Sequence, residues 1–193
     1  MLTYSFEGIT PVVDPSAWVH ETAVLIGDVI VGPDCYIGPG AVMRGDFGRI
    51  VLERESNLQD NCVVHSLPDF DCVMEARSHI GHGAVVHGAR LGRDTLVGMN
   101  AVVMDRAQVG EQTIVAAMSF VKIGARIPPR VLVAGVPARV VRELSEADLA
   151  GKGFGTDQYV ELARRSALGM VRAEPLRAME ADRPRVRWKQ PGL

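Results

Sequence analysis

The chain has 193 residues, enough for one large domain or one domain with an appendage, and 47% of them are hydrophobic, so a full core is available. A formal net charge of −2 argues against nucleic acid or an anionic membrane as the main partner. No apolar run reaches the roughly 18 residues that span a bilayer, and the first residues lack a signal pattern, so we expect a cytoplasmic protein.

Aliphatic residues recur every six positions through most of the first 142 residues. A period of six is neither the 3.6 of a helix nor a plain alternation, and it is typical of a triangular coil with three short strands and about 18 residues per turn. Stacked coils bury one continuous core. The predicted inward positions are Val19, Leu25, Val31, Ile37, Met43, Leu52, Leu58, Val64, Ile80, Val86, Leu91, Val97, Val103, Val109, Val115 and Val121.

This six-residue period resembles that of the hexapeptide-repeat proteins, which implies an all-β solenoid of the left-handed parallel β-helix type. We expect it to fill a domain of residues 1–142. Residues 66–79 break the period, and we expect them to include a projecting loop, of the kind that often shapes a binding site in a solenoid.

The composition changes after Arg142, and residues 143–193 predict a C-terminal helical segment and tail. Ser145, with Asp148 three residues later, is typical of a helix start. We expect the glycines at 151, 153 and 155 to interrupt that helix. A second helix would then begin at Thr156 and lie along the solenoid. Its predicted apolar face contains Tyr159, Leu162, Ala163, Ser166, Ala167 and Met170, and the tail 172–193 shows no periodicity.

Three of the five histidines form the candidate site. His65 and His87 each directly follow an inward aliphatic residue, as does Arg44, at separations of 21 and 22 residues, which is one turn plus local slips. We expect the three to stack outward on one face, with both imidazoles within reach of one ion. His82 lies a whole strand away, roughly 16 Å at ~3.3 Å per residue. A neighbouring subunit of a parallel homotrimer could supply it, giving three equivalent interface sites.

Three imidazoles with an open coordination position are typical of catalytic zinc, although iron and cobalt accept the same ligands. Such an ion makes a water-derived nucleophile available near neutral pH. Gln59, after Leu58, is a candidate to orient the nucleophile or substrate, and Arg44 with Asp46 a candidate ion pair across the subunit contact.

Several polar residues near these positions have two interpretations. Asn57, Asp60, Asn100 and Tyr159 are candidate substrate or supporting contacts. Equally, Asp60 and Asn100 could be turn residues, because Asp and Asn tolerate corner conformations, and Tyr159 could pack its ring under the helix. We expect His20 and His79 to be solvated.

A resemblance to a known family rests on these same positions. Arg44-Gly-Asp46, the segment 57–61 and the three histidines resemble the γ-class carbonic anhydrase family over roughly residues 8–142. The segments 45–51, 97–105, 142–146 and 174–177 are similar to its phenylacetic acid degradation branch. The resemblance implies a metal-bearing homotrimer in which His65 and His87 come from one subunit and His82 from the next.

The implied activity is hydrolysis of coenzyme A thioesters, with CO2 hydration as the alternative, so the expected small-molecule partner is an acyl-CoA or a bicarbonate-like molecule. Phe47 stands where the fastest γ-class enzymes carry a glutamate, which argues against rapid CO2 hydration and leaves an apolar rim. Two other classes stay open: a hexapeptide-repeat acyltransferase, which needs no histidine cluster, and a non-catalytic assembly subunit.

Overall fold

A computed structural model describes residues 1–188 of the chain. It is a parallel β-solenoid of about seven turns followed by a single α-helix, which confirms the predicted left-handed β-helix with a C-terminal helix. The elements are β1 (Leu2–Tyr4), β2 (Val12–Val13), β3 (Trp18–Val19), β4 (Val24–Val31), β5 (Tyr36–Ile37), β6 (Val42–Leu52), β7 (Asn57–Leu58), β8 (Val63–His65), β9 (Cys72–Met74), β10 (His79–Ile80), β11 (Val85–His87), β12 (Arg90–Leu91), β13 (Leu96–Val97), β14 (Val102–Val103), β15 (Gln108–Val109), β16 (Ile114–Val115), β17 (Phe120–Val121), β18 (Arg126–Ile127), β19 (Val131–Gly135), β20 (Ala138–Glu143) and α1 (Glu146–Gly169).

The coils have three faces. The first face is a stack of β3, β5, β7, β10, β13, β16 and β19, closed by the antiparallel strand β20. The second face continues from β6 through β8, β11, β14 and β17, and the third through β9, β12, β15 and β18. The second and third faces belong to one sheet because β4 and β6 are long enough to run through the corner between them.

The core is the inward column that the six-residue period predicts. Leu25, Ile37, Met43, Leu58 and Ile80 are fully buried. The tight corners take small side chains, among them free cysteines at 35 and 62. Burial raises the pKa of the Cys35 thiol to about 12, so these cysteines act as small apolar core residues.

The projecting loop expected within residues 66–79 is shorter than the break in the period. Only residues 66–71 leave the coil, and strand β9 then pairs in register with β6, where Cys72 lies opposite Ile50. Met74 is fully buried. The interruption is therefore a short insertion, after which the core column resumes at once.

The helix begins as predicted. Ser145 is its N-cap: Oγ accepts from the Asp148 backbone N–H, and the Asp148 side chain accepts from the Ser145 N–H at 2.8 Å. The predicted interruption by glycines, with a second helix from Thr156, is wrong, because α1 is continuous. A tertiary contact offsets the helix-weakening glycines: the buried Lys152 Nζ donates to Arg77 O and to Asp94 Oδ1, both at 2.6 Å.

Helix α1 lies across β3, β5 and β7 and so covers the first face. Tyr159 packs between the rings of Tyr36 and His79, at centroid distances of 5.3 and 5.2 Å. Of the predicted apolar face, Ala167 and Met170 are exposed. From Val171 to Trp188 the chain forms neither helix nor strand, and the rest of the predicted tail lies outside the described residues. Within the described part, no helix is long and apolar enough to cross a membrane.

Candidate functional site

Arg44, His65 and His87 form one outward column on the second face. Arg44 is in register with His65, and His65 with His87, in successive coils, as the spacing predicts. The two imidazoles lie 5.0 Å apart between ring centroids, and His65 Nδ1 is 3.0 Å from His87 Nε2.

In each of these two rings, the second nitrogen contacts a carboxylate oxygen. His65 Nε2 is 3.0 Å from Asp46 Oδ1, and His87 Nδ1 contacts Asp105 Oδ1. A carboxylate only accepts, so these two nitrogens carry the protons. In neutral rings the facing nitrogens, His65 Nδ1 and His87 Nε2, are then both bare. Two lone pairs cannot hydrogen-bond to each other, and only a cation between them, a proton or a metal ion, satisfies both.

The donor set fits a divalent metal. At zinc–nitrogen distances of about 2.0–2.1 Å, two ligands at a tetrahedral angle are about 3.3 Å apart, close to the 3.0 Å seen here. Histidine ligands that donate their second N–H to a carboxylate are the usual supporting arrangement. Within residues 1–188 of one chain, no three His, Cys, Asp or Glu side chains form a group able to hold a metal. One chain therefore offers two imidazole ligands at this place.

Asp46 and Arg44 form an ion pair within one chain, at 2.7 Å, and the pair across a subunit contact stays a prediction. They are two residues apart on β6, so both side chains leave the same surface. Burial raises the pKa of Asp46, but the hydrogen bonds from Arg44 and His65 outweigh it, and the net pKa is lowered. The Phe47 ring lies 5.1 Å from that of His65 and is 57% exposed, so it forms an apolar rim.

His82 occupies the corner between the first and second faces, away from the other two histidines. Its Nδ1 is 3.3 Å from Asp60 Oδ2 and its Nε2 is 3.4 Å from the Tyr159 hydroxyl. His87 is the last residue of strand β11 and so lies at the far end of the next strand. One chain therefore does not bring the three predicted ligands together, in line with the expectation from their spacing.

Gln59 lies on the His82 side rather than beside His65. Its Oε1 accepts from the His82 backbone N–H at 3.2 Å, which orients the amide. Its Nε2 then donates to Asn57 Oδ1 at 3.0 Å and to His79 Nε2 at 2.6 Å. Gln59 and Asn57 are buried, so their present contacts position the His82 backbone. Asn100 takes a corner turn with φ +55°, and its N–H donates to His82 O at 2.9 Å.

The chain is similar to known proteins over most of its length. The repeat family described as "Bacterial transferase hexapeptide (six repeats)" matches residues 10–45. Carnitine operon protein CaiE of Proteus sp. (strain LE138) is 51% identical over 187 residues, which cover 97% of this chain and 95% of that protein. The chain belongs to the CaiE family of hexapeptide-repeat proteins. CaiE of Escherichia coli (strain K12) is also 51% identical, over 96% of this chain and 95% of its own length.

Two solved structures resemble this CaiE-family chain over most of their length. A Bacillus cereus protein, provisionally assigned as an acetyltransferase, is 31% identical with a TM-score of 0.85 and covers 87% of this chain and 98% of that one. A hexapeptide transferase family protein from Anaplasma phagocytophilum is 34% identical with a TM-score of 0.81, over 84% and 96%. The predicted hexapeptide-repeat membership is confirmed. These relatives do not support the predicted nearness to phenylacetic acid degradation proteins.

Sequence reasoning missed two residues of this CaiE-family site. Asp105 received no role, because the register that pairs Val86 with Val103 places it one position beyond the residue opposite His87, and the repeat gives no signal for it. His79 was expected to be solvated, which is wrong. It is packed under Tyr159, and burial lowers its pKa to about 4. Since His79 Nε2 accepts from Gln59, its proton is on Nδ1.

Proposed function

We propose that this CaiE-family protein is a homotrimeric metalloenzyme that acts on coenzyme A thioesters. His65 and His87 of one subunit and His82 of the next would hold the ion, so that three equivalent sites lie at three interfaces. The observation that carries the proposal is the pair of bare imidazole nitrogens 3.0 Å apart, each ring fixed from behind by a carboxylate. Zinc suits three imidazoles, and iron or cobalt would accept them.

The chain's own residues have distinct tasks. Asp46 and Asp105 hold the imidazoles in one tautomer and orientation. Arg44 keeps its guanidinium on the same face, 43% exposed, where it can bind the negative end of a substrate. Phe47 supplies an apolar wall beside His65. A divalent ion held there would supply a nucleophilic oxygen near neutral pH, because it lowers the pKa of a water ligand.

Acyl thioesters are favoured over CO2 by the rim of the site. The exposed Phe47 offers contact area that a three-atom substrate cannot use, and it places no acid next to Asp46 for proton transfer. Both solved structures described above carry transferase descriptions, which also supports acyl chemistry. The operon named in the CaiE relatives makes thioesters of carnitine-like acids the first substrates to assay.

Acyl transfer is the second candidate, and one contact favours it. Asp105 on His87 Nδ1 orients that ring with a bare Nε2, as in a histidine general base. Such a mechanism needs no metal. A chelator that abolishes turnover therefore supports the hydrolytic metalloenzyme, whereas transfer to an amine or hydroxyl acceptor that survives chelation supports transfer.

Subunit complementation tests the shared site. His65→Ala and His82→Ala trimers should each lose metal and thioester hydrolysis. When the two variants are mixed and reassembled, some interfaces pair an intact His65–His87 with an intact His82, and metal content should return in part. Reassembled trimers of either variant alone are the matched control.

The outcomes separate the competing functions. Failure of mixed trimers to regain metal would refute the shared site. If all three histidine-to-alanine variants keep full biological function, the protein is an assembly subunit rather than an enzyme. Turnover of CO2 with none of acyl-CoA esters would make it a carbonic anhydrase.

A further inference from the structure

A separate cavity lies at the far end of α1, where the helix ends against the first coil. Its volume is about 500 Å³. Trp18, His20 and Glu21 line it from the solenoid, and Met170, Val171 and Arg172 line it from the chain that follows the helix. No residue assigned to the metal site belongs to this cavity.

Two rings form a fixed aromatic corner in this cavity. The rings of Trp18 and His20 are 5.7 Å apart and inclined at 69°, so they make two adjoining walls. Trp18 stacks on Tyr36 at 5.0 Å and 23°, and Tyr36 in turn packs against Tyr159 of the helix. The indole is therefore held in place before any ligand arrives.

The electrostatics of the cavity favour a cation. Glu21 contributes a carboxylate. The C-terminal end of α1 at Gly169 carries the negative end of the helix dipole, and its last turn holds no basic residue. Aromatic rings add the attraction of their negative faces for positive charge.

Arg172, a cation of the chain itself, already lies in this negative surrounding. Its Nε donates to both carboxylate oxygens of Glu21, at 2.9 and 3.1 Å. The Arg172 side chain is 86% exposed, and an ion pair that open to solvent is weak and easily exchanged. Arg172 therefore acts as a displaceable internal cation.

The lining also indicates which kind of cation fits. A primary ammonium has three donors to satisfy. His20 Nδ1 already accepts from the Thr22 backbone N–H at 3.1 Å, which leaves its other ring nitrogen as a donor, so Glu21 is the main acceptor among the lining side chains. A quaternary ammonium has no N–H and gains from Trp18, Met170 and Val171 instead. We propose that this cavity binds the quaternary ammonium group of a small organic cation, which displaces Arg172 from Glu21.

Calorimetric titration of the full-length protein tests this site. Choline is the probe, and its neutral isostere, with tert-butyl in place of trimethylammonium, is the matched ligand control. Choline should bind and the isostere should not. Glu21→Gln and Trp18→Leu should each weaken binding about tenfold, a typical cation–π or charge contribution. Arg172→Gln should tighten it, because the internal competitor is gone.

A surface variant elsewhere on the helix completes the design. Arg164→Gln breaks an exposed pair with Asp34 outside the cavity and should leave choline binding unchanged. If Trp18→Leu fails to fold, Glu21→Gln and Arg172→Gln still test the proposal, because both substitutions change exposed side chains. Equal binding of choline and its isostere, or no effect of either exposed variant, would overturn the proposal. The site does not depend on the proposed metal centre, so a chelator should not alter choline binding.

Discussion

His65 Nδ1 and His87 Nε2 face each other across 3.0 Å in successive coils, with Asp46 and Asp105 on the opposite sides of the two rings. This relationship makes the carboxylates as important as the imidazoles. If either carboxylate is replaced by an amide, the neighbouring ring can receive a donor instead of an acceptor, and its proton then moves to the inner nitrogen.

We therefore expect Asp105→Asn to weaken metal binding about 10–100-fold, the usual effect of losing such a partner. The introduced side-chain amide would donate to His87 Nδ1 and leave a proton on Nε2, in the space between the rings. Competition titration against a chromogenic chelator measures the affinity. Asp28→Asn, which breaks the Arg49 pair at 3.1 Å, is the control and should bind metal normally. Wild-type affinity in Asp105→Asn would contradict the assigned tautomers.

Phe47→Ala should change substrate preference without changing stability. The ring is 57% exposed, and exposed substitutions usually alter the free energy of unfolding by no more than about 0.5 kcal/mol. The loss of an apolar wall should lower kcat/KM for bulky acyl-CoA esters and spare acetyl-CoA. Kinetics with a series of acyl lengths checks this, with urea denaturation alongside. A uniform loss across the series would mean that Phe47 does not contact the acyl group.

His79, which is partly buried under α1, predicts a pH dependence of stability. Burial lowers its pKa from 6.5 to about 4, so between these values the unfolded chain binds a proton that the folded chain does not. Stability therefore falls as the pH drops from about 6.5 to 4, by about 3 kcal/mol in total. Denaturant unfolding at several pH values should show this slope, and His79→Gln should flatten it. An unchanged slope in His79→Gln would disprove the assignment.

The parts of this structure that sequence could predict are those set by the repeat itself. Counting six residues at a time identifies inward residues such as Val64 and Val86, and therefore the outward neighbours His65 and His87. The partner of His87 could not be predicted in this way, because Asp105 is not at an equivalent repeat position. Its side chain reaches His87 from the next coil, and that contact depends on side-chain conformation rather than on register.

The six-residue period also gives no information on the contacts between the helix and the solenoid. His79 stands in an outward column with Asn57 and Tyr36, and an outward position looks solvated until something covers it. Helix α1 covers this column. The continuity of α1 has the same origin, because the glycines near Lys152 weaken the isolated helix, whereas the anchoring partners lie about 60–75 residues away in sequence.

Lys152→Met should loosen the start of α1. The Lys152 side chain is 3% exposed and bridges Asp94 and the Arg77 carbonyl, so its removal leaves a partly buried carboxylate with only a longer contact to Arg77. We expect a loss of about 3 kcal/mol. Hydrogen exchange should show reduced protection across Glu146–Gly169. Arg164→Gln, which breaks an exposed ion pair on the same helix, should change that protection little. Full protection in Lys152→Met would mean that apolar packing alone holds the helix.

Two glycine-to-alanine changes should have opposite signs, although both only add a methyl group. At Gly45, between Arg44 and Asp46, a Cβ would lie 2.4 Å from the Asp28 backbone oxygen, so β4 and β6 must separate. We expect Gly45→Ala to be destabilising and to weaken metal binding through displacement of its two neighbours. At Gly151 an added Cβ would have no atom within 4 Å apart from the helix's own nearby backbone, and alanine in a helix is favoured by about 0.5–1 kcal/mol. Thermal unfolding and metal titration of both variants test this, and a stabilised Gly45→Ala would show that the strands around the site are not closely packed.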